Sequence, residues 1–146
     1  MTQLFSPVEL GSLTLPNRLV RSATAERMAD GEGRPGAALR QLYRELVDGG
    51  VGLIITGHMY VHPGGKCHPE MTGIYSDDLL TDLAALVETV HEAGGLVATQ
   101  INHGGMQCSI ETVKQTVAPS DVDAPFLPQP ARAMTPAEIE EAVSAY

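Results

Sequence analysis

The stretch EAGGLVATQINHGGMQ, residues 92–107, decides the fold. Gly94 and Gly95 stop a helix, because glycine takes the left-handed conformation that a helix exit favours. Leu96 to Ile101 is a short apolar, β-compatible run. It turns polar at once in Gln100, Asn102 and His103, ahead of Gly104-Gly105. A hydrophobic strand with a polar C-terminal tip is how α/β proteins present a site. The Gln100 amide offers an acceptor and two donors on a short stem. It suits a ring edge carrying N–H and C=O side by side, such as the pyrimidine edge of a flavin. A polar residue capping a strand is the other explanation of the same position.

Working outward, the pattern of helix, acidic residue, glycine pair and apolar strand at His91–Gln100 has an earlier copy at Val47–Thr56. There VGLIIT, residues 51–56, has the continuous β-branched character of a strand buried on both faces. Helical spacing of Leu39, Leu42, Tyr43, Leu46 and Val47 predicts a helix over Ala37–Asp48. A second helix is expected from Asp77 to Ala93, capped by Ser76, with two aspartates in its first turn favoured by the helix dipole. Its core stripe is Leu79, Leu83, Leu86, Val87 and Val90. Upstream, LFSPVELGSLTL (residues 4–15) has the alternation and the Gly11-Ser12 turn of a hairpin. RLVRSA (residues 18–23) is the first main strand. Thr135-Pro136-Ala137-Glu138 opens a third helix with a cap, an N1 proline and a capping-box glutamate.

Alternation of strand and helix gives parallel strands joined by right-handed crossovers. Long loops follow the strands, at 24–36, 57–75 and 102–134, while short glycine links precede them. This asymmetry favours a (β/α) barrel, in which function sits on the loops after the strands. A Rossmann sheet is the alternative, but no G-x-G-x-x-G follows a strand. A complete barrel needs roughly 250 residues. The expectation is therefore one domain over residues 1–146, the first three β/α units of a barrel, interrupted within its third helix.

Composition narrows the function classes. Over 146 residues the chain is 43% hydrophobic, enough for one sizeable core. Its 9 basic against 18 acidic residues give a net charge of −9, which argues against nucleic acid or an anionic membrane as the partner. The start MTQLFSPVEL has neither a basic n-region nor an apolar h-region. Cys67 and Cys108 form no motif, and a reduced, cytoplasmic setting is the default.

Four segments resemble the Old Yellow Enzyme family of FMN-dependent NAD(P)H oxidoreductases: PNRLVRSATAE (16–26), DGGVGLIITG (48–57), GIYSDD (73–78) and GGLVATQINHGG (94–105). PSDV (119–122) and MTPAEIEEAVSAY (134–146) sit where that family has its pre-helix loop and third helix. The resemblance covers nearly the whole sequence, in order and at the right spacing. It implies a TIM barrel with FMN at the C-terminal mouth, reduced by NADH or NADPH and passing hydride to an activated alkene, commonly an enone. Carried over, Ser22, Ala23, Thr24 and Ala25 would lie along the flavin through their backbone. Gly57 and His58 would sit near a flavin carbonyl, and Gln100 would meet the pyrimidine edge. His103 is either a loop histidine or a group near flavin or substrate. Two positions depart from the family: Ala25, where relatives often carry Thr or Cys, and Met106, where they often carry Arg. The family's substrate-orienting pair, proton-donor tyrosine and phosphate-binding loops fall beyond residue 146, so no catalytic residue is assigned within the chain.

Other chemistry is less well supported by the residues. His58, His62, Cys67, His68, His103 and Cys108 fit no compact zinc-ligand spacing. PGGK at 63–66 fails the Walker pattern, with Tyr60 at its first glycine and Cys67 at its Ser/Thr. Ser22 has no evident His/Asp partner, and Glu26 and Arg27 look like solvated loop charges. The competing class is a non-catalytic partial barrel that folds by pairing with a second copy or a complementary chain, since the first and third main strands would be open edges.

Overall fold

In the computed structural model, which describes residues 3–146, strands β1 (Val8–Leu10) and β2 (Leu13–Leu15) form the expected hairpin. Met1 and Thr2, part of the start read for targeting signals, lie outside the described residues. Three short strands, β3 (Val20–Arg21), β4 (Leu53–Ile55) and β6 (Val97–Ala98), make a parallel sheet in the order β3-β4-β6. The helix α1 (Ala37–Asp48) connects the first two and α2 (Leu80–Glu92) leads into the third. Leu39 and Tyr43 of α1, Leu86 and Val90 of α2, Ile54 of β4 and Met59 form one buried cluster. Each such residue contributes about 1.5–3 kcal/mol when its side group leaves water, so the helices are held mainly by their shared apolar face.

The expected strand boundaries shorten. RLVRSA pairs only at Val20–Arg21, and VGLIIT only at Leu53–Ile55. The run 96–101 is not one strand. It splits into β6 and β7 (Ile101–Asn102), and β7 pairs in parallel with β5 (Met59–Tyr60), which lies inside the stretch expected to be loop. The cause is one extra residue on the upper strand. The Thr56 N–H donates to Ala98 O, and the next ladder bond runs from Met59 N–H to Gln100 O, so three steps face two. At the dislocation Gln100 N–H bonds the Thr56 hydroxyl, 3.2 Å away, instead of a carbonyl. This is the geometry of a β-bulge, a device that re-aims side chains.

The second helix also starts later than expected. Ser76 Oγ accepts from the Asp78 N–H at 3.2 Å, as a cap should, but it closes a 3-10 turn at Asp77–Leu79 before α2 begins at Leu80. The two glycines after α2 do different work. Gly94 takes the left-handed conformation (φ +80°), while a Cβ on Gly95 would press on Val47 and on Val90 Cγ1, 3.1 Å away.

The expected loop over 102–134, with prolines at 119, 125, 128 and 130, is more ordered than a loop. Strands β8 (Val117–Ala118) and β9 (Arg132–Ala133) pair in parallel, and Gln115 Nε2 donates to Pro130 O at 2.9 Å. The third helix, α3 (Pro136–Ala145), has the full capping box of Thr135 and Glu138. Among the described residues no helix is long and apolar enough to cross a membrane.

Candidate functional site

The tips of β3, β4 and β6 emerge side by side, and the residues singled out there are Ser22–Ala25, Gly57–His58 and Gln100. The backbone of Gln100 is held from both sides: its N–H by Thr56 Oγ1 and its carbonyl by the Met59 N–H at 2.9 Å. Its side chain is exposed and takes no internal partner among the described residues. A fixed backbone carrying a free amide offers a donor and an acceptor at a defined strand tip. On the far side of the β4 tip, Ser22, Thr24 and Ala25 are exposed or half-buried along with Ala23.

Gly57 is buried and pinched. A Cβ there would lie 2.5 Å from Thr24 O and closer still to Glu26 Oε2. The first and second strand tips thus touch through a glycine backbone. The Gly57 N–H donates to the Tyr43 hydroxyl at 3.3 Å, whereas the His58 N–H has neither a backbone nor a side-chain acceptor among the described residues. The His58 ring accepts from the Asn102 amide through Nδ1 at 3.0 Å, in the tautomer that this contact requires.

Glu26 corrects the expectation of a solvated loop charge. Its carboxylate group is only 7% exposed, faces Arg21 Nη2 at 3.6 Å and accepts from Tyr43 OH at 3.3 Å. Arg27 is exposed and adopts φ +54°. Tyr43, assigned to the core from helical spacing, therefore spans core and site: its ring is buried and its hydroxyl joins Glu26 to Gly57. Burial pushes its phenol well up, and the neighbouring Glu26 charge adds to that. Sequence reasoning missed this link; the only available signal was a tyrosine on an otherwise aliphatic stripe, whose hydroxyl needs a partner when buried.

His103 stands apart from these groups. Its ring stacks on His62 at 5.9 Å between centroids, its Nδ1 accepts from the Gly105 N–H, and His62 Nε2 pairs with Glu141 of α3 at 3.1 Å. The two histidines border a cavity of about 190 Å3 against Arg132 and Glu138.

Three histidines give a pH dependence. His58, His68 and His103 are all held below the ordinary histidine value, in each case chiefly by burial. Both ring nitrogens of His68 lack hydrogen-bond partners. An unfolded chain takes up protons near pH 6.5, while the folded one keeps these rings neutral to lower pH. Stability is therefore expected to be full above about pH 6.5 and to fall as the pH drops below it. Glu138, held at about 2 by Arg132, titrates in a separate window. Urea midpoints measured from about pH 7.5 to 5.5 should decline steadily; a flat profile would contradict the placement of these rings.

Similarity to known proteins places this geometry in a family. The model of the NADH:flavin oxidoreductase / NADH oxidase family matches residues 3–146. The chain belongs to that family. An NADH oxidase of Thermoanaerobacter brockii is 34% identical, over 98% of this chain and 22% of its own length. A 4,4'-dithiodibutanoate disulfide reductase of Rhodococcus erythropolis is 33% identical, over 97% of this chain and 35% of its own. The solved structure of an Old Yellow Enzyme homologue from Zymomonas mobilis superposes with a TM-score of 0.89 at 27% identity, covering 99% of this chain and 43% of that one. The chain thus spans less than half the length of these relatives, and its three strand–helix units are consistent with part of an α/β barrel. Membership of the NADH:flavin oxidoreductase family accords with the resemblance seen in residues 16–26, 48–57 and 94–105.

Proposed function

We propose that this segment forms the pyrimidine-edge side of an FMN site in a barrel that reduces flavin with NADH or NADPH and hands hydride to an activated alkene. The observation that carries the proposal is the Gln100 amide, fixed at its backbone, free at its side chain, and held in the same sheet as the Ser22–Ala25 segment with the Gly57–His58 tip of β4 between them. These residues fit a flat heterocycle. The Gln100 amide oxygen would accept from a ring N–H and its NH2 would donate to a ring carbonyl, while the His58 N–H supplies a second donor. The backbone of Ser22–Ala25 would line one side of the ring, and Gly57 keeps the first two strand tips close enough to do so. Bound FMN supplies the two-electron hydride chemistry; the protein supplies binding, orientation and exclusion of water. Residues 1–146 would then be the N-terminal portion of a single barrel domain, working in a cytoplasmic setting.

Gln100→Ala, made in a protein that joins this segment to the remaining barrel units of its relatives, should weaken FMN binding by about 1–3 kcal/mol, because a buried ring edge loses its matched partner. Flavin-fluorescence titration checks this. An unchanged affinity would remove Gln100 from the site.

A second reading is favoured by the sheet edges. β3 and β6 each pair on one side only, Val20 is 45% exposed, and an open groove of about 690 Å3 runs between β6 and α2, lined by Leu80, Leu83, Val87 and Val97. We infer that the isolated chain associates, with a second copy or with a complementary barrel segment, through this apolar edge. Light scattering should give a mass above that of one molecule. A stable monomer with slow amide exchange along both edges would contradict it.

A further inference from the structure

Cys67 and Cys108 are far apart in sequence yet lie on segments laid side by side. The Ser109 N–H donates to Cys67 O at 3.0 Å, the Gly104 N–H to Gly65 O at 2.9 Å, and the Thr112 hydroxyl to Lys66 O at 2.5 Å. Between them Gly104 leaves no room for a methyl group, since a Cβ there would lie 2.8 Å from Cys108 Sγ and nearer still to Cys67 Sγ. The two sulfurs therefore face each other across a glycine, on a backbone already tied in register. Both cysteines are free; Cys108 is fully buried and Cys67 only partly so.

We propose that Cys67 and Cys108 form a reversible dithiol–disulfide site that reacts with low-molecular-weight disulfides and joins the loop after β5 to the loop after β7. Accessibility sets the order of events. The partly exposed Cys67 attacks one sulfur of the small disulfide, its S–S bond breaks, and one thiol leaves while the other half stays on Cys67 as a mixed disulfide. Cys108 then loses its proton and attacks Cys67 Sγ, expelling the second thiol. Two protein thiols give up two electrons and two protons, and the small disulfide takes them up as two thiols. Attack requires a thiolate, and the environment supplies one at Cys67. The neighbouring Cys108 thiol and the Asn102 amide hold the Cys67 thiol below the usual thiol range despite burial, while Cys108 Sγ itself donates to Gly64 O at 3.7 Å. Cys108 is pushed the other way, first by its neighbour Cys67 and then by burial, as suits the second thiol to react. Asn102 also holds the His58 ring, so the link touches a residue of the strand-tip cluster without belonging to it.

The test is mass spectrometry of the full 146-residue chain after treatment with oxidised glutathione. The expected product is two hydrogens lighter, carries no glutathione and yields one peptide pair joined through Cys67 and Cys108. Cys108→Ser should stop at one glutathione on Cys67, and Cys67→Ser should take up none. A wild-type protein that keeps glutathione on Cys67, a link between two molecules, or modification of Cys108 in Cys67→Ser would each overturn the proposal. The wild-type product alone decides the matter if either variant does not fold.

Discussion

Mixed with excess FMN, NADPH and cyclohexenone in the absence of oxygen, the 146-residue chain is expected to consume no NADPH above the free-flavin background. Hydride transfer needs the flavin anchored and the alkene polarised and aligned over it, and misplacement of either costs orders of magnitude in rate. The segment offers one amide, one free backbone N–H and an extended stretch, all at a single edge of the proposed ring site. The resemblance to Old Yellow Enzymes leads to the expectation that phosphate-gripping loops and a substrate-orienting pair belong to barrel units this segment does not carry, and only 43% of the Zymomonas mobilis homologue is matched. Weak anchoring at one edge should leave the cofactor largely free. Anaerobic absorbance of the reduced nicotinamide is the measurement. NADPH loss proportional to protein concentration would mean that the segment holds more of the reaction machinery than its residues suggest.

Gly57→Ala should be the most damaging small substitution near the strand tips. The new methyl would sit 2.5 Å from the Thr24 carbonyl, which is backbone and cannot swing away, and would also collide with Glu26. Overpacking of this kind costs about 1–3 kcal/mol. Displacing Glu26 adds to it, because the Arg21 and Tyr43 contacts at 3.6 and 3.3 Å go together and a partly buried charge loses its partner. The combined loss should approach ~4 kcal/mol in urea unfolding, with an unchanged slope if the fold is otherwise kept. Gly31→Ala, whose Cβ would meet nothing within 4 Å, is the control and should stay within about 0.5 kcal/mol. Equal stability of the two variants would rule out the crowding described at Gly57.

The elements that sequence revealed are those governed by periodicity and local chemistry. Leu39, Tyr43, Leu86 and Val90 fall on helical spacing and are buried together, and Thr135 with Glu138 caps α3 as its pattern requires. Side-chain period, however, says nothing about where a ladder slips. The bulge at Gly57–His58 depends on Thr56 lending its hydroxyl to Gln100, a contact 44 positions apart. For the same reason Glu26 was misjudged: charge and a loop setting suggested solvent, and only the meeting of Arg21, Tyr43 and Gly57 makes its burial tolerable. Gln100 was legible as a polar tip on an apolar run, but its freedom from internal partners is a property of the folded site.

The sheet order β3-β4-β6 has a consequence for how the protein is made. In the main sheet each strand after β3 docks beside the one made just before it, so β4 and β6 each find their first neighbour already synthesised. Growth from one side also means that the newest strand always presents a bare edge to the crowded cell until the next arrives. With β6 as the leading edge and the Leu80–Leu83 groove beside it, a pause in synthesis after Ala98 would leave both an unpaired edge and an apolar groove open. Synonymous codons that slow translation there should raise its demand for chaperones more than the same codons placed before β4.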